Sequence, residues 1–226
     1  MYMSVGIKIS LNEGLYLRDP QDSELGRNII KYSIILIDEF GIESFTFKKL
    51  AIKINSTEAS IYRYFVNKHI LFLYLVNWYW EWVNYLVRIN TMNITDSKAK
   101  LGIIIHSFVA ASNENPLVEY VNESRLQRIV NSEGMKVYHT KDVDAENSKG
   151  FFKSYKDLAY TVSAVITEVN PSFKYPYTLA TNLFEMTNNH IFFAQHLPRL
   201  TDASIVDNEN DEVENMLNYF VEKLLV

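Results

Sequence analysis

The chain has 226 residues, no cysteine, a formal net charge of −5 at pH 7 and 48% hydrophobic residues. These values are typical of a globular protein of one or two domains, and they exclude disulfides, thiol catalysis and thiolate metal sites. The N-terminus lacks the basic-then-apolar layout of a signal peptide, and no apolar run approaches the roughly 20 residues that span a bilayer. We therefore expect a soluble, cytoplasmic protein.

Residues 1–19 have the pattern of short extended segments. Ile7 to Leu11 alternates like a strand, and Leu15 to Leu17 adds a second short piece. Two interpretations stay open: an extended arm that lies on the following domain, and a loosely packed tail. We favour the tail, because chain termini are usually poorly ordered unless they are tied down.

The first helix is predicted from the Asp19-Pro20 pair, which is a common helix start, to Phe40. Gly41 is predicted to end it. The residues that recur at helical spacing and form its inward side are Leu25, Ile29, Ile30, Ser33, Ile37 and Phe40. We expect this helix to brace the segment that follows.

Residues 45–71 predict two short helices joined by a tight turn, followed by the start of a third helix. Thr46 is a suitable N-cap, and Asn55 tolerates the left-handed conformation found at helix C-termini. Ser56 or Thr57 can cap the second helix. The apolar side chains that this arrangement turns inward are Leu50, Ala51, Ile54, Ile61, Tyr64 and Phe65. This spacing is that of a helix-turn-helix.

The same stretch is basic. Between residues 44 and 70, five Lys or Arg side chains stand against Glu58 alone, in a chain whose overall charge is −5. Such an island indicates a surface for phosphate, although a solvated cationic face that binds nothing would have the same charge. Combined with the helix-turn-helix spacing, it favours DNA. An N-terminal arm could then reach along the DNA with Lys8 and Arg18.

Several residues of this stretch carry a family pattern, namely Phe45, Thr46, Leu50, Ala51, Ile61 through Phe65, Lys68 and Leu71. This order resembles the DNA-binding domain of the TetR/AcrR family of bacterial transcription regulators, from about Glu24 to Leu75. The sequence departs from the family pattern at Asn55, where Gly is usual, and at Ser56, where an apolar residue is usual. The resemblance implies an all-α protein, with a three-helix DNA-binding domain and a C-terminal helical domain for ligand binding and dimerisation.

The outer side of the second short helix would read DNA bases. Arg63 could fork onto guanine, and Glu58 could accept a hydrogen bond from the cytosine amine. The resemblance assigns Tyr62, Lys68, Thr46 and Lys48 to backbone phosphates. The candidate DNA-binding residues are together Thr46, Lys48, Lys49, Thr57, Glu58, Ser60, Tyr62, Arg63 and Lys68.

The rest of the chain is predicted to be helical. A long helix from Asn67 to Asn90 is followed by a break and by helices near 97–113, 116–133, 148–169, 175–197 and 210–225. The polar segment Met135 to Lys149 is predicted to be a mobile loop. The expected domains are an N-terminal arm at 1–19, a helix-turn-helix domain at 20–72, and a ligand-binding and dimerisation domain at 73–226.

The aromatic residues from the long helix onwards have two interpretations, and the sequence does not decide between them. They could fill a helical core, or they could line a pocket for an apolar ligand with His106 or Tyr155 as a polar anchor. The resemblance implies such a pocket. The candidate lining residues are Trp78, Trp82, Tyr85, His106, Phe108, Tyr120, Phe152 and Tyr155.

Enzyme chemistry has little support in the sequence. The five His residues form no helical ligand pair and no known motif, and the chain contains no glycine-rich phosphate loop. We expect no metal, no cofactor and no enzymatic activity.

The sequence therefore predicts a dimeric, TetR-like DNA-binding regulator. The resemblance implies a repressor whose affinity for DNA with palindromic half-sites falls when a small apolar or aromatic ligand tilts the long helix. Helices near 175–197 and 210–225 would form the homodimer. The alternative is a helical ligand-binding or interaction protein with a vestigial DNA-binding head.

Overall fold

A computed structural model of the chain describes residues 7–111, 113–115, 118–205 and 210–225. The described residues are all-α, with no strand and three 3₁₀ turns, at Glu13–Leu15, Pro20–Asp22 and Pro198–Leu200. Among them, no helix is long and apolar enough to cross a membrane. The α-helices of this part of the chain are α1 (Glu24–Ser44), α2 (Phe47–Lys53), α3 (Glu58–Tyr62), α4 (Lys68–Asn90), α5 (Ser97–Ala110), α6 (Glu123–Glu133), α7 (Met135–Tyr138), α8 (Val143–Ser148), α9 (Lys153–Val169), α10 (Pro176–His196) and α11 (Asp211–Leu225).

The chain forms two compact units. The first comprises Met1–Trp82 and Ser112–Tyr155, and the second comprises Val83–Ala111 and Lys156–Val226. Helix α4 contributes residues to both units. The segment 20–72, which the sequence assigns to DNA binding, lies wholly in the first unit. The boundaries of the two compact units therefore differ from those of the functional domains expected from the sequence.

The N-terminal segment from Ile7 onwards is packed in the first unit, so the preferred expectation of a loose tail is wrong for these residues. Leu15 is fully buried, and the Gln21 side chain binds both backbone groups of Ile9. The Ile9 N–H donates to Gln21 Oε1 over 3.0 Å, and Gln21 Nε2 donates to the Ile9 carbonyl over 2.7 Å. Residues 1–6 of the expected arm lie outside the described residues.

Helix α1 begins after Ser23, whose hydroxyl accepts from the Gly26 N–H, whereas Asp19 caps only the preceding 3₁₀ turn. Gly41, which was expected to end the helix, instead interrupts it with a φ of 75° and a ψ of 159°, and α1 continues to Ser44. The inward side is partly as expected. The prediction that Phe40 points inward is wrong, because its side chain is 57% exposed. The members of the expected stripe that are buried are Ile29, Ile30, Ser33 and Ile37.

Residues 135–149 contain the short helices α7 and α8, so the expectation of a mobile loop is wrong. Val137 is fully buried, and Glu146 of α8 is largely buried. The Glu146 carboxylate lies 2.6 Å from Nε2 of His69 on α4. Helices this short show no periodicity in sequence, and contacts with residues distant in the chain hold them in place.

The second unit contains α5, α10, α11 and most of α9. The predicted helices are present, but α6 begins at Glu123 rather than at 116, and α9 begins at Lys153 rather than at 148. Phe108 of α5 packs edge-on against Phe184 of α10, with ring centroids 4.4 Å apart. A buried core of this kind gives the second unit its own hydrophobic centre.

Candidate nucleic-acid interface

Local capping sets the geometry of α2 and α3. The Thr46 hydroxyl accepts from the Lys49 N–H over 3.2 Å, and the Thr57 hydroxyl accepts from the Ser60 N–H over 3.2 Å. Between the helices, Asn55 has a φ of 51°, and the N–H of Ser56 donates to the Ala51 carbonyl over 2.9 Å. The two N-caps and the left-handed Asn55 are the features that the sequence predicted.

A buried core holds the two helices together. Leu50 and Ile61 are fully buried, and Ala51 is small where α2 meets α3. Phe47 and Tyr62 contact each other edge to face, with centroids 5.0 Å apart. Tyr64 is buried, as expected, and its hydroxyl lies 2.7 Å from the Ser23 hydroxyl at the start of α1. These contacts fix the orientation of α3 within the first unit.

The outer face of α3 is open to solvent. Thr57, Glu58 and Arg63 are exposed, and Ser60 is half-buried. Tyr62 is 48% exposed although its ring packs on Phe47, which leaves its hydroxyl end available. The residues expected to read bases therefore share one short helix and its two caps, within reach of a single ligand surface.

The predicted phosphate-contacting lysines are not alike. Lys48 is exposed on α2. The Lys49 ammonium donates to the Ser44 carbonyl over 2.7 Å. The Lys68 ammonium donates to the carbonyls of Ile42 and Glu43 over 3.1 Å and 3.3 Å.

Lys49 and Lys68 thus bind the last carbonyls of α1, which have no partners within the helix. This second role was not predicted from the sequence, in which a cation near a helix C-terminus is the only sign of such a contact.

The basic residues of the N-terminal segment are engaged within the protein. Lys8 lies 3.0 Å from Asp19 and 2.5 Å from Asp22. Hydrogen bonds to Asp22 and then Asp19 raise the pKa of Lys8 above its ordinary range. Arg18 lies over the Tyr64 ring, 5.5 Å from its centroid. This geometry does not support the interpretation in which Lys8 reaches along DNA.

The candidate pocket residues divide between the two units. Trp78, Trp82, Tyr120, Phe152 and Tyr155 lie in the first, and the other three candidates, Tyr85, His106 and Phe108, lie in the second. Trp78 and Trp82 are buried and stacked, with centroids 6.0 Å apart. The Tyr120 hydroxyl donates to Gln21 Oε1 over 2.8 Å, and burial raises its pKa to about 12.

His106 is a poor anchor for a buried ligand, which corrects one of the two expectations. Its side chain is 60% exposed, and its Nδ1 lies 2.8 Å from Glu214 on α11. Phe108 instead belongs to the core of the second unit, against Phe184.

Phe152 and Tyr155 belong to an aromatic cluster with Trp80 and Tyr138, which were not among the residues predicted from the sequence. Trp80 stacks on Tyr155 at 4.4 Å, and Tyr138 packs against Phe152 at 5.5 Å. The Trp80 indole N–H donates to the Tyr138 hydroxyl over 3.0 Å. Tyr138 was missed because it lies in the segment predicted to be a loop.

Comparison with known proteins identifies the fold. No model of a protein family matches the chain, and no curated protein matches it. A structure of AibR in complex with isovaleryl coenzyme A and operator DNA matches with a TM-score of 0.60 and 14% identity, covering 88% of this chain and 98% of AibR. A transcriptional regulator from Rhodococcus sp. Rha1 matches with a TM-score of 0.64 and 13% identity, covering 92% and 96%.

A third match is described as the superantigen PfiT, with a TM-score of 0.62 and 11% identity, covering 89% of this chain and 97% of PfiT. At such identities a likeness shows the fold and leaves the function open. All three matches extend over nearly the whole of both chains. The chain has the fold of the TetR-like transcription regulators.

Proposed function

We propose that this protein is a sequence-specific DNA-binding transcription regulator that acts as a dimer and releases DNA when it binds a small apolar or aromatic ligand. The observation that carries the proposal is the exposed face of α3, which presents Arg63, Glu58 and Thr57 on a buried helix-turn-helix core. A helix of this kind fits the major groove and presents its polar side chains to base edges.

The residues divide into two roles. Arg63 and Glu58 read bases, because a guanidinium can bind guanine through two hydrogen bonds and a carboxylate can accept from cytosine. Lys48, Tyr62 and Lys68 bind phosphates and fix the position of the protein on DNA. The other residues of the interface are Thr46, Lys49, Thr57 and Ser60. The first three already make a side-chain hydrogen bond with the local backbone. The Ser60 hydroxyl lies within hydrogen-bond distance of the Thr57 hydroxyl.

A dimer is supported by the apolar side chains that α10 and α11 leave exposed. Phe192, Leu197, Tyr219, Phe220 and Leu224 are each at least 36% exposed. One short helix-turn-helix reads few base pairs, and a two-fold dimer places two of them on successive major grooves about 34 Å apart. We propose the expected functional division, with DNA binding in 20–72 and ligand binding and dimerisation in 73–226.

The small-molecule ligand is supported by analogy with AibR, which was crystallised in complex with isovaleryl coenzyme A and operator DNA. The candidate ligand site is formed by the buried aromatic residues of the first unit, Trp78, Trp82 and Phe152, with Tyr155 as the polar anchor in place of His106. Helix α4 has residues in both units, so a ligand that tilts it would change the separation of the two DNA-binding heads in the dimer.

The alternative is an interaction protein with the same fold. The match with PfiT favours it, as do Lys49 and Lys68, whose ammonium groups already bind backbone carbonyls. A protein of this class would bind DNA weakly and without preference for sequence.

Selection from randomised duplex DNA separates the two functions. The full-length protein should enrich a palindromic site, and Arg63→Ala should lose preference at one base pair of each half-site, at a cost of about 1–3 kcal/mol. Lys174→Ala is the control, because Lys174 is an exposed cation of the second unit. Enrichment of no site by the unmodified protein would refute the regulator. An unchanged base preference in Arg63→Ala would refute the role of that residue alone.

A further inference from the structure

A cavity lies in the first unit, apart from the aromatic cluster and from the DNA-binding face. Its volume is about 620 Å³, which is within the usual range for small-molecule sites. One wall is helix α1, with Lys31 and Ile35. The other wall comes from residues 114–115 and 118–125, which supply Val118 and Val121. Both walls belong to the same compact unit.

Glu123 lines this cavity and lacks a full set of partners. Its side chain is buried, with a relative exposure of 1% for the residue. Oε2 accepts from the Asn115 N–H over 3.4 Å, whereas Oε1 is buried without a hydrogen-bond partner among the described residues. A buried carboxylate oxygen without a donor is costly, so it marks a position where a ligand donor would be stabilising.

The charges around Glu123 favour a cation. The Arg125 guanidinium is already bound to Asp38 of α1 over 2.9 Å. Glu114 and Glu119 also line the cavity, and among the described lining residues the only other cation is Lys31, which is exposed on α1. Burial, with a smaller contribution from Glu114, raises the pKa of Glu123 to about 7. Binding a cation would relieve this cost by keeping the carboxylate ionised.

We propose that this cavity binds a small organic ammonium ion, with its cationic group beside the Glu123 carboxylate and its apolar body packed on Ile35, Val118 and Val121. A buried carboxylate next to an apolar patch, formed by Ile35, Val118 and Val121 in an otherwise polar lining, suits an alkyl or arylalkyl amine. The site is independent of the proposed DNA binding, because it uses none of the residues of that interface.

Titration calorimetry with three probes of one size tests the charge preference. Hexylammonium should bind the full-length protein, and both hexanol and hexanoate should bind at least about tenfold more weakly, since neither places a cation beside Glu123. Equal affinity for the three probes, or no heat with hexylammonium, would overturn the proposal.

Two variants locate the binding. Glu123→Gln keeps the shape and removes the charge, so it should weaken hexylammonium binding by about tenfold or more. Glu13→Gln is the matched control, because Glu13 is an exposed carboxylate of the first unit outside the cavity lining, and it should change nothing. If Glu123→Gln is not folded, Ile35→Trp decides, because the indole would fill the cavity from α1 without altering Glu123. Binding that survives the folded variants would overturn the site.

The pH dependence is a second readout. Because the carboxylate form binds, hexylammonium affinity should rise about tenfold between about pH 6 and about pH 8, and Glu123→Gln should abolish this rise. The other titratable or charged groups that face the cavity are Lys31, Glu114, Glu119, Tyr120 and Arg125. A rise that persists in Glu123→Gln would assign the titration to another group and overturn the proposed contact.

Discussion

Lys48 and Lys68 belong to the same predicted set of phosphate contacts, but their surroundings differ. The Lys48 side chain is exposed on α2, whereas the Lys68 ammonium binds two carbonyls at the end of α1. Lys68 therefore connects the start of α4 to the end of α1. A lysine has three N–H donors, so it can bind these carbonyls and a phosphate together.

This difference predicts distinct phenotypes for two alanine variants. Each of Lys48→Ala and Lys68→Ala should lower the slope of log affinity against log salt by about 1 for every DNA sequence, because each removes one phosphate contact. Only Lys68→Ala should also destabilise the protein, by about 1 kcal/mol, since it leaves two carbonyls without their donor. Anisotropy titrations and thermal unfolding measure the two effects, with Lys174→Ala as control. Equal unfolding temperatures for the two variants would contradict the capping role of Lys68.

Helix α1 owes its kink to one residue. Gly41 has a φ of 75° and a ψ of 159°, a conformation that is essentially restricted to glycine. After the kink, the backbone turns into Phe45 and the N-cap of α2. The orientation of the helix-turn-helix against α1 thus depends on the absence of a side chain at this position.

We expect Gly41→Ala to destabilise the protein by about 1–3 kcal/mol, because an L side chain is strained in this conformation. Gly102→Ala is the matched control within α5. An added Cβ there meets only the Asn218 side chain at 3.6 Å, so it should be neutral or stabilising by up to about 1 kcal/mol. Denaturant unfolding measures both variants. A Gly41→Ala protein as stable as the unmodified one would contradict the strain.

Short-range signals made most of the helix-turn-helix predictable. Thr46, Asn55 and Thr57 act through their own neighbours in the chain, so their roles follow from residue type and spacing. Helices α7 and α8 were not predictable in this way. They are too short to show periodicity, and Glu146 is held by His69, which lies far away in sequence. Phe40 was wrongly predicted to be buried. The apolar residues keep helical spacing up to the kink at Gly41, but the buried face of α1 does not extend to Phe40.

The candidate DNA-contacting residues were found from the sequence because a family pattern covers them. The cavity beside α1 could not be found in this way. Its walls come from α1 and from residues 114–115 and 118–125, and the missing partner of Glu123 is visible only once these segments are placed together. In the same way, hydrophobic spacing predicted the helices of the second unit, but it did not predict which of their apolar side chains are exposed.

Those exposed side chains predict the quaternary structure. If α10 and α11 form the dimer, Phe192→Glu and Leu224→Glu should each shift the protein from dimer to monomer, because a charge in an apolar interface is costly. Leu17→Glu is the control, since Leu17 is 63% exposed in the first unit. Sedimentation velocity measures the change. A dimer that resists both substitutions would place its interface on another surface.

The most direct test of the account is the binding of the full-length protein to its selected duplex and to a scrambled duplex, followed by fluorescence anisotropy over a series of salt concentrations. A DNA-binding regulator should prefer the selected duplex by a factor on the order of 10³ or more, and its affinity should fall steeply as salt increases. Weak and equal binding to the two duplexes at every salt concentration would contradict the regulator, and it would favour an interaction protein with this fold.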